Sequence, residues 1–109
     1  MAFIEDVTFP GYSGTKYNFK AYDGTDFPSV GAVYIFTKRN FHPDGRVTYT
    51  RLYVGQTRSL ADRIPGHEKW DCVKEHGVDT ICVHLDGDED SRRLKEKDLL
   101  DIGKPPCND

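Results

Sequence analysis

A chain of 109 residues has room for one domain of ordinary size, and at that length it buries about two thirds of the surface its unfolded form exposes, enough for a core without staples. Its 18 acidic and 15 basic residues leave a net charge of −3, so bulk electrostatics does not draw it toward phosphate backbones. No window approaches the ~20 apolar residues of a membrane span, and MAFIEDVTFPGYSG lacks the basic-then-apolar pattern of a signal peptide; a cytoplasmic protein with no membrane partner is expected.

The three cysteines Cys72, Cys82 and Cys107 are odd in number and form no CxxC pair, which argues against a disulfide framework and a four-thiolate zinc site. A reducing compartment is therefore expected. Cys72, Cys82, His67, His76 and His84 match no common zinc-knuckle spacing.

Residues 1–30, rich in Gly, Tyr, Phe, Thr and Asp, read equally as an arm or as extra strands packed on the core. From there the pattern sharpens into a domain over 31–109. AVYIFTK (32–38) and RVTYTRLYVG (46–55) are β-branched and aromatic, and HPDGR between them suits a type I turn with Gly45 in the left-handed position. An antiparallel hairpin follows. Pairing His42 with Gly45, or with Arg46 across a bulge, brings Tyr34 opposite Tyr53 or Val54; the two tyrosines share a face in the first register and lose it in the second.

QTRSLADRI then opens a helix, with Thr57 or Ser59 as cap and Ser59 with Asp62 resembling a capping box. Pro65 and Gly66 break it, since an interior proline costs roughly 3 kcal/mol. HEKWDCVKEH (67–76) is a second helical stretch ended by Gly77, on which Trp70 is a core anchor. VDTICVHLD (78–86) alternates as a third strand, GDED (87–90) connects, and SRRLKEKDLLDI (91–102) is the last helix. The fold class is α/β of the α+β kind, a three-stranded antiparallel sheet flanked by helices with an N-terminal extension.

AVY at 32–34, YVG at 53–55, Arg63, His67, Glu96 and Asn108 occur in an order that resembles the GIY-YIG nucleases, and the resemblance runs from Ala32 to Asn108. It implies a metal-dependent endonuclease that hydrolyses nucleic-acid phosphodiesters, DNA in preference. The implied catalytic residues are Tyr34, Tyr53, Arg63, His67, Glu96 and Asn108. Tyr34 and Tyr53 would lie near the scissile phosphate, one of them helping to deprotonate water; with an ordinary tyrosine pKa near ~10, that role needs nearby positive charge or metal. Arg63 would stabilise charge developing on the phosphate, and Glu96 would hold one Mg²⁺ or Mn²⁺ ion. The amide of Asn108 would orient neighbouring groups.

The sequence departs from the pattern in two places. Gly31 precedes AVY directly, and Pro65 falls between Arg63 and His67, disturbing the spacing that would put both on one helix face. With the acidic charge, these departures motivate the rival reading of a binding or interaction module that keeps the fold without turnover. A core this small also leaves delivery of substrate to a homodimer or a targeting partner. Taken alone, Glu96 is an i,i+4 partner for Arg92 on a solvated helix face.

Overall fold

The computed structural model describes residues 1–109. In chain order the elements are β1 (Ala2–Pro10), β2 (Lys16–Asp23), β3 (Ala32–Phe41), β4 (Val47–Thr57), α1 (Leu60–Arg63), α2 (Trp70–Glu75), β5 (Thr80–Leu85) and α3 (Glu89–Asp101). All five strands form one antiparallel sheet in the order β1-β2-β5-β3-β4.

The expected three-stranded sheet is thereby corrected to five strands. The first thirty residues contain a hairpin, β1–β2, that joins through β2 pairing with β5 at Lys20–Val83, Ala21–Cys82 and Tyr22–Ile81. Phe19 and Ala21, two apart and so on one face, are buried there with Phe9. The hairpin tip is tied to the far end of the chain. Asp98 on α3 accepts from the Ser13 amide (2.8 Å), the Ser13 hydroxyl (2.6 Å) and the Tyr17 hydroxyl (2.6 Å), and these bonds hold its carboxyl below the usual range.

The β3–β4 hairpin leaves its turn in the bulged register: the His42 amide donates to the Arg46 carbonyl at 2.9 Å and Phe41 pairs with Val47. A second irregularity lies between Phe36 and Thr37, where the partner jumps from Tyr53 to Arg51. Tyr34 therefore faces Gly55, not Tyr53 or Val54 as the turn alone suggests. The two shifts cancel in parity. Tyr53, two residues from Gly55, stays on the face of Tyr34.

The sheet has a core on each side. Tyr34, Phe36, Leu52 and Ile81 pack with Leu60, Ile64 and Val73 around α1 and α2. On the other face Val33, Ile35, Val54 and Cys82 pack with Phe9, Phe19 and Leu99 of α3. No helix is long and apolar enough to cross a membrane.

Local chemistry shifts the starts of two helices and leaves the first at its expected cap. Ser59 caps α1 through its backbone geometry without a side-chain bond, so the anticipated capping box does not form; Thr57 Oγ1 instead accepts from the Ser59 amide at 3.1 Å. The second helix begins at Trp70, not at 67, because the Lys69 amide donates to His67 Nδ1 at 3.1 Å and the chain turns there. α3 starts inside the expected GDED connection, where Asp88 accepts from the Ser91 amide at 2.8 Å as N-cap.

Cys72 and Cys107 form a disulfide across 35 residues of sequence, which corrects the expectation that no disulfide would be found; Cys82 is free and buried. An odd cysteine count conceals a pair whose members meet only when the C-terminal tail folds back onto α2.

Candidate functional site

Four of the six candidate residues assemble on the α1–α2 face of β3 and β4. Tyr34 and Tyr53 have ring centroids 6.1 Å apart, and His67 stands edge-on to both, at 5.7 and 4.9 Å. Phe36 backs the group, 4.9 Å from the His67 ring. Although His67 does not share a helix with Arg63, the turn forced by Pro65 and Gly66 delivers its side chain to the same place.

The tautomer of His67 follows from its bonds. A backbone amide can only donate, so the Lys69 amide leaves Nδ1 without a proton. The neutral ring then carries hydrogen on Nε2 and donates it to Tyr34 Oη at 2.7 Å. Burial first, and then the charge of Arg63, push the His67 pKa down to about 4, so the ring is neutral at physiological pH. Tyr34 thus receives a hydrogen bond on its oxygen and keeps its own O–H to give away. Burial, with Tyr53 beside it, raises the Tyr34 pKa, while Arg63 opposes the shift. Tyr34 is fully buried and Tyr53 half-buried, so Tyr53 is the tyrosine that solvent reaches.

Arg63 is held by a residue the sequence reading passed over. Glu68 accepts from both terminal nitrogens of its guanidinium, at 2.5 and 2.7 Å, and the pairing brings the Glu68 carboxyl down to about 2. The only signal was an Arg and a Glu five apart across a Pro-Gly break, too long for a helical pair and fixed by the turn. Arg63 also acts on Tyr34, whose hydroxyl pKa it draws down against the effect of burial, so the guanidinium is shared between Glu68 and the ring cluster.

Asn108 is ordered along the open edge of β4, the last strand of the sheet. Its amide closes a ring on one residue, accepting from the Val54 amide and donating to the Val54 carbonyl, both at 2.9 Å. The Cys107 amide donates to the Leu52 carbonyl at 2.9 Å, so the tail runs beside β4 like a short extra strand.

Glu96 lies apart. Its helix covers the other face of the sheet, packing on β4 and β3, and no hydrogen bond or ion pair joins Glu96 to the tyrosine cluster. Arg92, the partner expected from i,i+4 spacing, is buried and turned elsewhere: Nε donates to Gln56 Oε1 at 3.0 Å and a terminal nitrogen to the Asp86 carbonyl at 3.1 Å. Glu96 is left as a half-buried carboxylate without a partner, and burial raises its pKa, with Arg93 opposing. A lone carboxylate of this kind suits a hard cation that keeps most of its waters.

Gly55 is required by the ring cluster. A Cβ at this position would lie 2.6 Å from Tyr34 Oη, 2.7 Å from Tyr34 Cζ and 2.8 Å from Tyr53 Cε2. The Tyr34 ring, fully buried against Phe36 and His67, has no room to retreat. Gly55→Ala is expected to cost about 1–3 kcal/mol of stability and to break the Tyr34–His67 bond; an unchanged urea midpoint would show that the cluster is looser than described.

No protein-family model matches the chain, and comparison with curated proteins and with solved structures finds no match either.

Proposed function

We propose that this chain is a GIY-YIG-type endonuclease that cleaves nucleic-acid phosphodiesters with a divalent metal ion, DNA being the preferred substrate. The observation that carries the reading is the convergence of Tyr34, Tyr53, His67 and Arg63, scattered over 34 positions of sequence, on one patch of the α1–α2 face of β3 and β4.

Tyr53 meets the substrate or the attacking water, while the Tyr34–His67 pair sets its position from below. Arg63 would turn N–H groups to the phosphate oxygens, with Glu68 holding the guanidinium plane steady. Glu96 would hold Mg²⁺ or Mn²⁺, which when bound polarises the phosphate and stabilises the leaving oxygen. The two faces of the sheet meet at the edge of β4, where the tail pairs with Leu52 and Val54; a strand of substrate crossing over that tail would reach groups from both.

One observation favours the rival reading of an inactive module. Tyr34 is sealed from solvent and Arg63 is already paired with a carboxylate, an arrangement that also describes a structural cluster.

The deciding experiment incubates the protein at low salt with single- and double-stranded DNA and RNA, in Mg²⁺, in Mn²⁺ and in chelator. Metal-dependent cleavage is expected, with DNA cut fastest. Intact substrates under every condition would leave the module reading in place.

A further inference from the structure

Away from the tyrosine cluster, the C-terminal tail meets α2 at a second group of reactive side chains. Cys72 and His76 are one helical turn apart, and Cys107 folds onto them from the tail; the three ligand atoms all lie within 4.8 Å of one another. Cys107 is buried, Cys72 partly so, and His76 opens to solvent.

The spacing suits more than a disulfide. His76 Nδ1 is 4.0 Å from Cys72 Sγ and 3.8 Å from Cys107 Sγ. In a tetrahedral zinc site, metal bonds of about 2.3 Å to sulfur and about 2.0 Å to nitrogen put those atoms about 3.5 Å apart. The imidazole therefore already stands near the distance at which it would share an ion with both sulfurs. The sulfurs must part, which reduction achieves, and Nδ1 must leave the Cys72 carbonyl for the ion.

We infer that the reduced protein binds one thiophilic divalent cation, Zn²⁺ or Co²⁺, through Cys72, Cys107 and His76, with water in the fourth position. Two thiolates and a neutral imidazole around a dication leave no net charge, which a half-buried site tolerates. His76 Nδ1 now donates to the Cys72 carbonyl at 2.9 Å, so on binding that ring proton moves to Nε2 and frees the lone pair for the ion. The ion takes over the task of the disulfide, clamping the tail that carries Asn108 to α2.

The exchange balances. With a phosphine as reductant, the disulfide gains two electrons from phosphorus and two protons from water and becomes two thiols, while phosphorus takes the water oxygen as phosphine oxide. Both thiol protons leave when the cation binds.

The test is Co²⁺ titration of the full chain after phosphine reduction, followed by Zn²⁺ competition. One equivalent of Co²⁺ is expected, with a thiolate-to-cobalt band that Zn²⁺ bleaches. His76→Ala should weaken binding about tenfold or more, and Cys82→Ser should leave it unchanged. The oxidised wild type, which is folded but offers no thiolates, should bind none. Absence of the band in the reduced wild type, binding indifferent to His76→Ala, or equal binding by the oxidised form would each overturn the assignment and leave a disulfide with a histidine beside it.

Discussion

On the proposed nuclease reading, replacing Glu96 with alanine is expected to lower metal-dependent cleavage by about a thousandfold, because the several kilocalories per mole that a bound cation would contribute to a phosphoryl transition state would be lost with its ligand. The same position makes an opposite prediction for stability. Burial raises the Glu96 carboxyl above its ordinary range, so the folded chain holds that proton more tightly than the unfolded chain does. The stabilisation from this group is full below the unfolded pKa and is lost as pH rises through the folded one, so at pH 7 the charged side chain is a net cost. Glu96→Gln should therefore melt higher than wild type at pH 7, an advantage that disappears near pH 4. Millimolar Mn²⁺ should stabilise the wild type and not the glutamine variant, since a ligand that binds only the folded form raises its melting temperature. Full cleavage by Glu96→Ala would remove the residue from the mechanism. A lower melting point for Glu96→Gln at pH 7 would mean that the carboxylate has a partner after all.

The largest loss of stability is expected at Phe36. It is fully buried, and its ring lies 5.5 Å from Tyr34, 5.9 Å from Tyr53, 4.9 Å from His67 and 4.8 Å from Trp70. Those four rings stand on both strands of the hairpin and on the turn and helix that follow, so they cannot collapse together into the space a missing phenyl leaves. Trp70 is further pinned by donating from its ring nitrogen to the Ile64 carbonyl at 2.7 Å. Phe36→Ala is expected to cost about 3–5 kcal/mol, a large fraction of the ~5–15 kcal/mol that holds an ordinary domain. Phe36→Leu, which keeps most of the volume, should cost about 1.5 kcal/mol or less. Chemical denaturation of both variants decides it: an alanine variant within about 1 kcal/mol of wild type would mean that the ring cluster repacks freely.

Much of the architecture was legible in the residues. Alternation of β-branched and aromatic side chains marked β3, β4 and β5, the HPDGR turn joined the first two, and the Pro65–Gly66 break divided the helical region. Those signals are local, carried by backbone preferences within a few residues. The first thirty residues were harder because β1 and β2 are amphipathic strands with small apolar faces, and Phe9, Phe19 and Ala21 become core only once β5 pairs with β2 and α3 covers them.

At the candidate site the division is the same. The residue types of Tyr34, Tyr53, Arg63 and His67 and their order along the chain are properties of the sequence. That Tyr34 and Tyr53 share a face was decided by a second bulge beside Leu52, which no turn rule foretells. Glu68 met Arg63, and Arg92 left Glu96 for Gln56, because side-chain partners are chosen by what the folded neighbours offer, and helical spacing only proposes them. The Cys72–Cys107 bond is the clearest case: three cysteines in the sequence allow any pairing or none, and only the return of the tail along β4 brings these two within reach. The sequence by itself determined β3, β4 and β5, the breaks and the supply of reactive side chains, since these depend on short-range conformational preference. Tertiary structure alone decided which of those side chains meet, because contact across tens of residues depends on register, burial and the packing of whole elements.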